Sequence, residues 1–239
     1  MSPNNNWQDE YQRRLLSPEA AVALVQPGDA VYTPIGGDAI TVLTHLLPRA
    51  VELEGNIKIR ACSPQHGHEW FSEDLAWLNI DLGTEIFGGA VARGALQDLR
   101  SDYTPNLFSN QFNVYDHRQG DIQPIDVFTT TCTPPDEDGY VDFGGSPWHK
   151  GDFTRRARIA ILEVAPWLVR CRTTERLHVS EVTHFVETQI SERPTRVMAG
   201  PPPEAMVVAG FVNEIVEDGD TIQIGAGRTA TFMPEGGAF

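Results

Sequence analysis

"AVYTPIGGDAITVLTHLLPRAVELEGNIKIRAC", residues 30–62, decides the fold. "AVYTP" (30–34) reads as a short buried strand that runs into an "IGG" turn. Asp38 is placed to cap a helix carrying Ile40, Leu43, Leu46 and Leu47 on one face, with Pro48 expected to kink or divide it. Gly55 and Asn56 then turn the chain into "IKIRAC" (57–62), a second strand. Strand, glycine turn, helix and strand make a βαβ unit, which requires a parallel sheet with a right-handed crossover.

Outward from this unit the alternation continues. Upstream, Ser17 and Pro18 open "SPEAAVALV" as N-cap and first helical residue, and Gly28 is in position to close that helix. Downstream, "LGTEIFG" (82–88) and "IDVFTTTC" (125–132) read as strands, and "ARIAILEVA" (157–165) as a strand buried on both faces. "GALQDLRSDY" (94–103) reads as helical and "SDYTPNLFSN" (101–110) as a loop broken by Pro105. The pattern predicts an α/β fold, an open and mostly parallel sheet with flanking helices. Pro194, Gly200 and three consecutive prolines suppress regular structure in "RPTRVMAGPPPEA". We therefore divide the chain into a domain over 1–193, a proline-rich linker over 194–203 and the start of a second α/β domain over 204–239. In the last part "EAMVVAGFVNEIV" has helical spacing, Gly219 ends it, and "TIQIG" (221–225) begins a strand.

Composition narrows the function. The chain has 239 residues and 41% hydrophobic content, enough for one large or two small α/β cores. Acidic residues outnumber basic ones 33 to 18, a formal charge of -15 that repels nucleic acid and anionic membrane surfaces. Arg155, Arg156 and Arg158 form one basic cluster, read as a solvated face or turn, with an anionic-ligand site as the alternative. Cys62, Cys132 and Cys171 are widely spaced, odd in number and without CxxC spacing, which predicts a reducing compartment. With neither a signal-like N-terminus nor an apolar run of about 18 residues, the expected location is the cytoplasm, with no membrane partner.

Three stretches carry candidate chemistry. "IQIGAGRT" (222–229) ends in Gly225, Ala226 and Gly227, whose amides could stabilise an anion at the start of the next helix; a plain tight turn is the alternative. "TPPDEDGYVDFGGS" (133–146) suggests calcium, but aligning Asp136, Asp138 and Gly139 to an EF-hand puts Pro134 and Gly145 at ligand positions. It reads instead as a polar loop at the C-terminal edge of the sheet, where open α/β folds bind ligands. His66, His68 and Glu69 in "HGHEW", with His149, are a weak metal candidate, and no metal site is assigned. His45, His178 and His184 read as structural histidines. Ser146 is followed by Pro147 and Trp148 rather than by a nucleophile elbow, and a P-loop is absent.

Taken in order, "WQDEYQRRLLSPEAAVALVQPGDAVYTPIGG", "ARGALQDLRSDYTPNLFSN", "PIDVFTTTCTPPDEDGYVDFGGS" and "IVEDGDTIQIGAGRT" resemble the N-terminal part of the acetyl-CoA hydrolase/transferase family, which includes 4-hydroxybutyrate and butyrate:acetate CoA-transferases. The resemblance implies two α/β domains facing each other across a cleft that holds coenzyme A as a substrate, with no tightly bound cofactor. It maps the family's glycine loop onto Gly225, Ala226 and Gly227, and its N-terminal glycine turn onto Gly36 and Gly37. It also implies a glutamate nucleophile, which forms an anhydride and then a glutamyl-CoA thioester before CoA passes to a carboxylate acceptor. The family carries that glutamate in a Gly-x-His-Thr-Glu stretch, which this sequence lacks; Glu235 has the wrong surroundings. The expectation is a second subunit or C-terminal domain that supplies it, in an oligomer, with this chain inactive alone. A hydrolase of the same family and a non-catalytic CoA-binding subunit are the alternatives.

Overall fold

The computed structural model describes residues 7–64, 69–86, 88–89, 91–110, 125–192, 200–225 and 227–237. The described chain divides into two compact units, residues 1–193 and 194–239.

In the first unit α1 (Trp7–Arg14), β1 (Leu15–Leu16) and α2 (Pro18–Val22) precede the βαβ unit β2 (Ala30–Thr33), α3 (Ile40–Glu52) and β3 (Lys58–Cys62). There follow β4 (Asp81–Glu85), α4 (Arg93–Gln97), β5 (Ser101–Thr104), β6 (Val127–Cys132), β7 (Tyr140–Asp142), α5 (Lys150–Arg156), β8 (Ile159–Val164), β9 (Arg176–His178) and β10 (His184–Glu187). Eight strands form one sheet in the order β1-β10-β8-β6-β2-β3-β4-β5, every pairing parallel. A separate antiparallel pair joins β7 to β9.

Alternation along each central strand builds a core on each face, because successive side chains point to opposite sides of a sheet. Val31, Val127, Ile161 and Val186 pack with Val42, Leu46 and Ala50 of α3. Their neighbours Tyr32, Phe128, Leu162 and Phe185 pack on the opposite face, with Phe153 of α5 and the partly buried Tyr11 of α1. Phe128 stacks on Phe153 at 5.0 Å between ring centroids, and Tyr11 meets Phe185 at 5.0 Å. Helices on both faces explain why β6 is an apolar and threonine-rich run and why β8 is apolar except for Glu163.

Several expectations need correction. Ser17 does cap α2, its Oγ accepting from Ala20 N at 3.2 Å, but the helix stops at Val22 and Gly28 instead donates to Asn56 O at 2.7 Å. Helix α3 runs through Pro48 undivided. Thr44 and Pro48 are both exposed, so the carbonyl deprived of a donor faces water. Asp38 does not cap α3; Ala39 holds the N-cap position, without a side-chain cap. The stretch 94–103 is not one helix: α4 ends at Gln97, Leu99 takes a left-handed φ of 56°, and Ser101–Thr104 forms the edge strand β5 inside what reads as a loop. A pairing partner offered by β4 outweighs the local pattern there.

In the second unit α6 (Pro203–Asn213) and α7 (Arg228–Phe232) are the helices among the described residues. Helix α6 ends at Asn213, before Gly219. Residues 221–225 are exposed and are not a strand; no described strand pairs with them, and an isolated extended segment has no ladder to stabilise it. Most of the expected linker, 194–199, lies outside the described residues.

Candidate functional site at the switch point of the sheet

From β2 the chain moves outward through β3, β4 and β5, then returns to lay β6 on the other flank of β2 and moves away through β8 and β10. The direction of winding reverses between β2 and β6, and an open parallel sheet leaves a crevice outside the C-terminal ends of the two strands at such a point. The turn with Gly36 and Gly37 leaves β2 there, and the segment from Thr133 leaves β6.

These two segments are fastened to one another. Thr131 N donates to Gly37 O at 2.8 Å, Thr130 Oγ1 donates to the same oxygen at 2.9 Å, and Ser146 Oγ donates to Ile35 O at 3.0 Å. Gly36 and Gly37 take φ of 62° and 71°, the left-handed region that glycine enters at little cost. Gly37 has a second reason to lack a side chain. A Cβ there would stand 2.6 Å from Lys150 Nζ and 2.9 Å from Thr131 Oγ1.

Lys150 opens α5 and is fully buried at 0% exposure. Its amine has no hydrogen-bond partner among the described residues and lies 5.9 Å from the centroid of the Phe143 ring. Burial pulls its pKa down from the ordinary 10.5 to about 8, while the charge of Asp38 acts the other way. The hydroxyls of Thr33, Thr129 and Thr131 are buried and without a hydrogen-bond partner as well. Glu163, on β8, completes the buried polar layer. Its carboxylate accepts from Thr41 N at 2.9 Å, Val42 N at 3.3 Å, Thr41 Oγ1 at 2.8 Å and Thr188 Oγ1 at 2.5 Å. It thereby caps α3 from across the sheet, which is why Asp38 is not needed for that task. Burial raises the Glu163 pKa, against the pull of those four donors.

The loop after β6 organises itself. Asp136 Oδ1 accepts from Asp138 N at 3.1 Å and Tyr140 N at 2.8 Å, so it closes a turn within the loop. Buried Asp142 accepts from Gly144 N at 2.8 Å and from Arg170 Nη1 at 3.0 Å.

The remaining candidates are dispersed. Gly225 and Gly227 lie in the second unit, exposed, with no neighbour closer than 3.7 Å to an added Cβ. Gly227 precedes α7, which has only five residues, and Ala226 lies outside the described residues. His66 and His68 lie outside them too; among the described residues no group of three His, Cys, Asp or Glu side chains could hold a metal ion. His149 Nε2 sits 2.8 Å from Phe108 O. His45 Nδ1 donates to Thr41 O at 2.8 Å, and His178 Nδ1 lies 2.8 Å from Ser180 Oγ, both structural roles. Arg155 pairs with Glu181, Arg156 with Asp152 and Arg158 with Asp29, which accounts for the basic cluster without an anionic ligand. Glu235 is exposed in a short turn. Sequence reasoning missed Lys150 and Glu163. For Lys150 a signal exists: the chain has two lysines, Lys58 and Lys150, beside 16 arginines.

Known proteins resemble this chain in sequence and fold. A succinyl-CoA:cyclohexane-1-carboxylate CoA transferase of Geobacter metallireducens is 30% identical over 227 residues, 93% of this chain and 49% of the relative. A butyryl-CoA:acetate CoA-transferase of Anaerostipes caccae is 28% identical over 93% of this chain and 50% of its own length. The chain thus spans about half the length of these relatives. RipA from Yersinia pestis has the same fold, with a TM-score of 0.79 at 23% identity over 95% of this chain and 54% of that one. No helix among the described residues is long and apolar enough to cross a membrane. Since the profile of the acetyl-CoA hydrolase/transferase N-terminal domain matches residues 1–224, nearly the whole chain and the Gly36–Gly37 turn but not Gly225, Ala226 and Gly227, the protein belongs to that family.

Proposed function

We propose that this chain forms the N-terminal part of a CoA-transferase that moves CoA from a short-chain acyl-CoA to a carboxylate acceptor. The family match over residues 1–224 carries the reading. A glycine turn at the switch point of a parallel sheet supports it, because that is where such sheets receive ligands. The attacking glutamate comes from the part of the relatives' length that this chain does not span, in a second domain or subunit. That carboxylate adds to the thioester carbonyl, the C–S bond breaks and CoA thiolate leaves; the thiolate then returns to the anhydride, releasing the first carboxylate and leaving a glutamyl-CoA thioester for the acceptor. Backbone amides at glycine turns stabilise the oxyanions of these steps. In this reading Gly36 and Gly37 bind substrate or CoA, and the family resemblance assigns the same role to Gly225, Ala226 and Gly227. We place the assembly in the cytoplasm, as an oligomer; the free thiols of Cys62, Cys132 and Cys171 support a reducing compartment.

Mixing the chain with a polypeptide carrying the missing half, and following CoA transfer from acetyl-CoA to added carboxylates, tests the proposal. A new thioester that forms only in the mixture is expected. Turnover by the chain alone, with or without Glu235, contradicts it. Release of free CoA that is indifferent to added carboxylate would assign the hydrolase reaction instead.

A further inference from the structure

An amine as buried as that of Lys150 is costly to keep, and a chain with only two lysines has not placed one there by frequency alone. Its position relative to the glycine turn is informative. Gly37 is partly exposed, whereas Lys150 Nζ presses against it from the protein side, 2.6 Å from where a Cβ would lie. A single glycine therefore separates a fixed positive charge from the space outside the turn. The hydroxyls of Thr33 and Thr131, also without hydrogen-bond partners among the described residues, stand at this end of β2 and β6. The charges that reach the amine come from Asp38, on the turn leading to α3, and from Cys132, on β6. Cys132 in turn senses Glu163, Asp142 and Arg170, and burial keeps it a neutral thiol. Asp38 is thus the acid whose charge acts on Lys150, and burial holds the Glu163 carboxyl above the ordinary carboxylate range.

We propose that Lys150 is the positioning cation of a carboxylate subsite on the Gly36–Gly37 turn, acting through the turn on an anion bound over it. This rests on the transferase reading for its biological ligand, the acceptor carboxylate, but the subsite is a property of this chain. A charge held in a poorly polarisable interior acts across one peptide unit far more strongly than the same charge in water. The amide of Thr131 and the hydroxyl of Thr130, both donating to Gly37 O, keep the turn at that distance.

The chain offers a direct readout because its two lysines give two signals. In full-length protein labelled at lysine 13Cε, the Lys58 and Lys150 resonances are assigned with Lys58→Arg and titrated with and without acetate. The Lys150 midpoint is expected below the ordinary lysine value of 10.5, near 8. Acetate is expected to raise the Lys150 midpoint by about one pH unit, equivalent to about tenfold tighter binding to the charged amine, and to leave Lys58 in place. Acetate affinity should fall about tenfold as the pH rises past the Lys150 midpoint, and should be weak and pH-independent in Lys150→Met. A Lys150 midpoint that acetate does not move, or equal acetate affinity in Lys150→Met, overturns the proposal and leaves Lys150 as a structural partner of Asp38. The transferase reading fails separately: acetyl-CoA whose own proton signals show no saturation transfer from the protein, with or without the missing half, counts against that reading and not against an acetate-shifted Lys150.

Discussion

Raising the pH should stabilise this protein where most lose stability, and Lys150 is the reason. Its amine is held down from 10.5 to about 8. That gap of roughly 2.5 pH units, at about 1.4 kcal/mol each, makes the proton about 3 kcal/mol harder to hold in the fold than in the unfolded chain. Between about pH 8 and about pH 10.5 the unfolded state binds more protons than the folded one, so unfolding free energy rises with pH across that window. Below the window both states are charged and the full penalty applies. Other groups titrate as well, so the comparison is with Lys150→Met, which keeps the aliphatic stem and lacks the proton. Urea denaturation of both proteins at about pH 7 and about pH 10 gives four free energies. The stability of the variant minus that of the parent should fall by about 2.5 kcal/mol between the two conditions, with unchanged m-values. A difference that stays flat with pH would show that the amine titrates normally, and would refute the electrostatic account of the switch point.

Two further outcomes follow from the same layer. Glu163→Ala should cost about 3 kcal/mol or more, since it strips the acceptor from two amides and two hydroxyls; Glu163→Gln should cost less. Because burial raises the Glu163 pKa, the folded state keeps that proton longer than the unfolded chain, so this residue's contribution to stability falls as pH climbs above about 4.5, and pH-dependent melting of Glu163→Gln should lack that slope. Gly36→Ala and Gly37→Ala both place a side chain at positive φ, at about 1–2 kcal/mol each. Gly37→Ala should cost about 1–3 kcal/mol beyond that, because its Cβ meets Lys150 and Thr131 while that of Gly36 meets only Ser146 Oγ at 3.2 Å. Equal urea midpoints for the two would remove the crowding argument.

The parallel sheet was legible because β2, β6 and β8 are almost wholly buried and write mostly apolar and β-branched runs into the sequence, while β3 alternates buried apolar residues with Lys58 and Arg60. Edge strand β5 was not: "SDYT" is polar, three of its four residues are exposed, and only its pairing with β4 makes it a strand. The site divides the same way. Gly36 and Gly37 announce themselves as a turn after a strand. Glu163 caps α3 across 122 residues of sequence, and Lys150 reaches Gly37 across a similar span, which no local pattern records. Asp38 shows the converse error, a residue with the right local position for a cap whose place a distant carboxylate takes. "IQIG" shows another, a strand pattern with no described neighbour to pair with.

The scarcity of lysine has a practical consequence. Lys58 is the one lysine side chain that an amine-reactive label can meet in the folded chain, since Lys150 is enclosed. Labelling of Lys150 therefore reports only those moments when the sheet and α5 part, and its rate under mild denaturant counts openings of the first unit one by one.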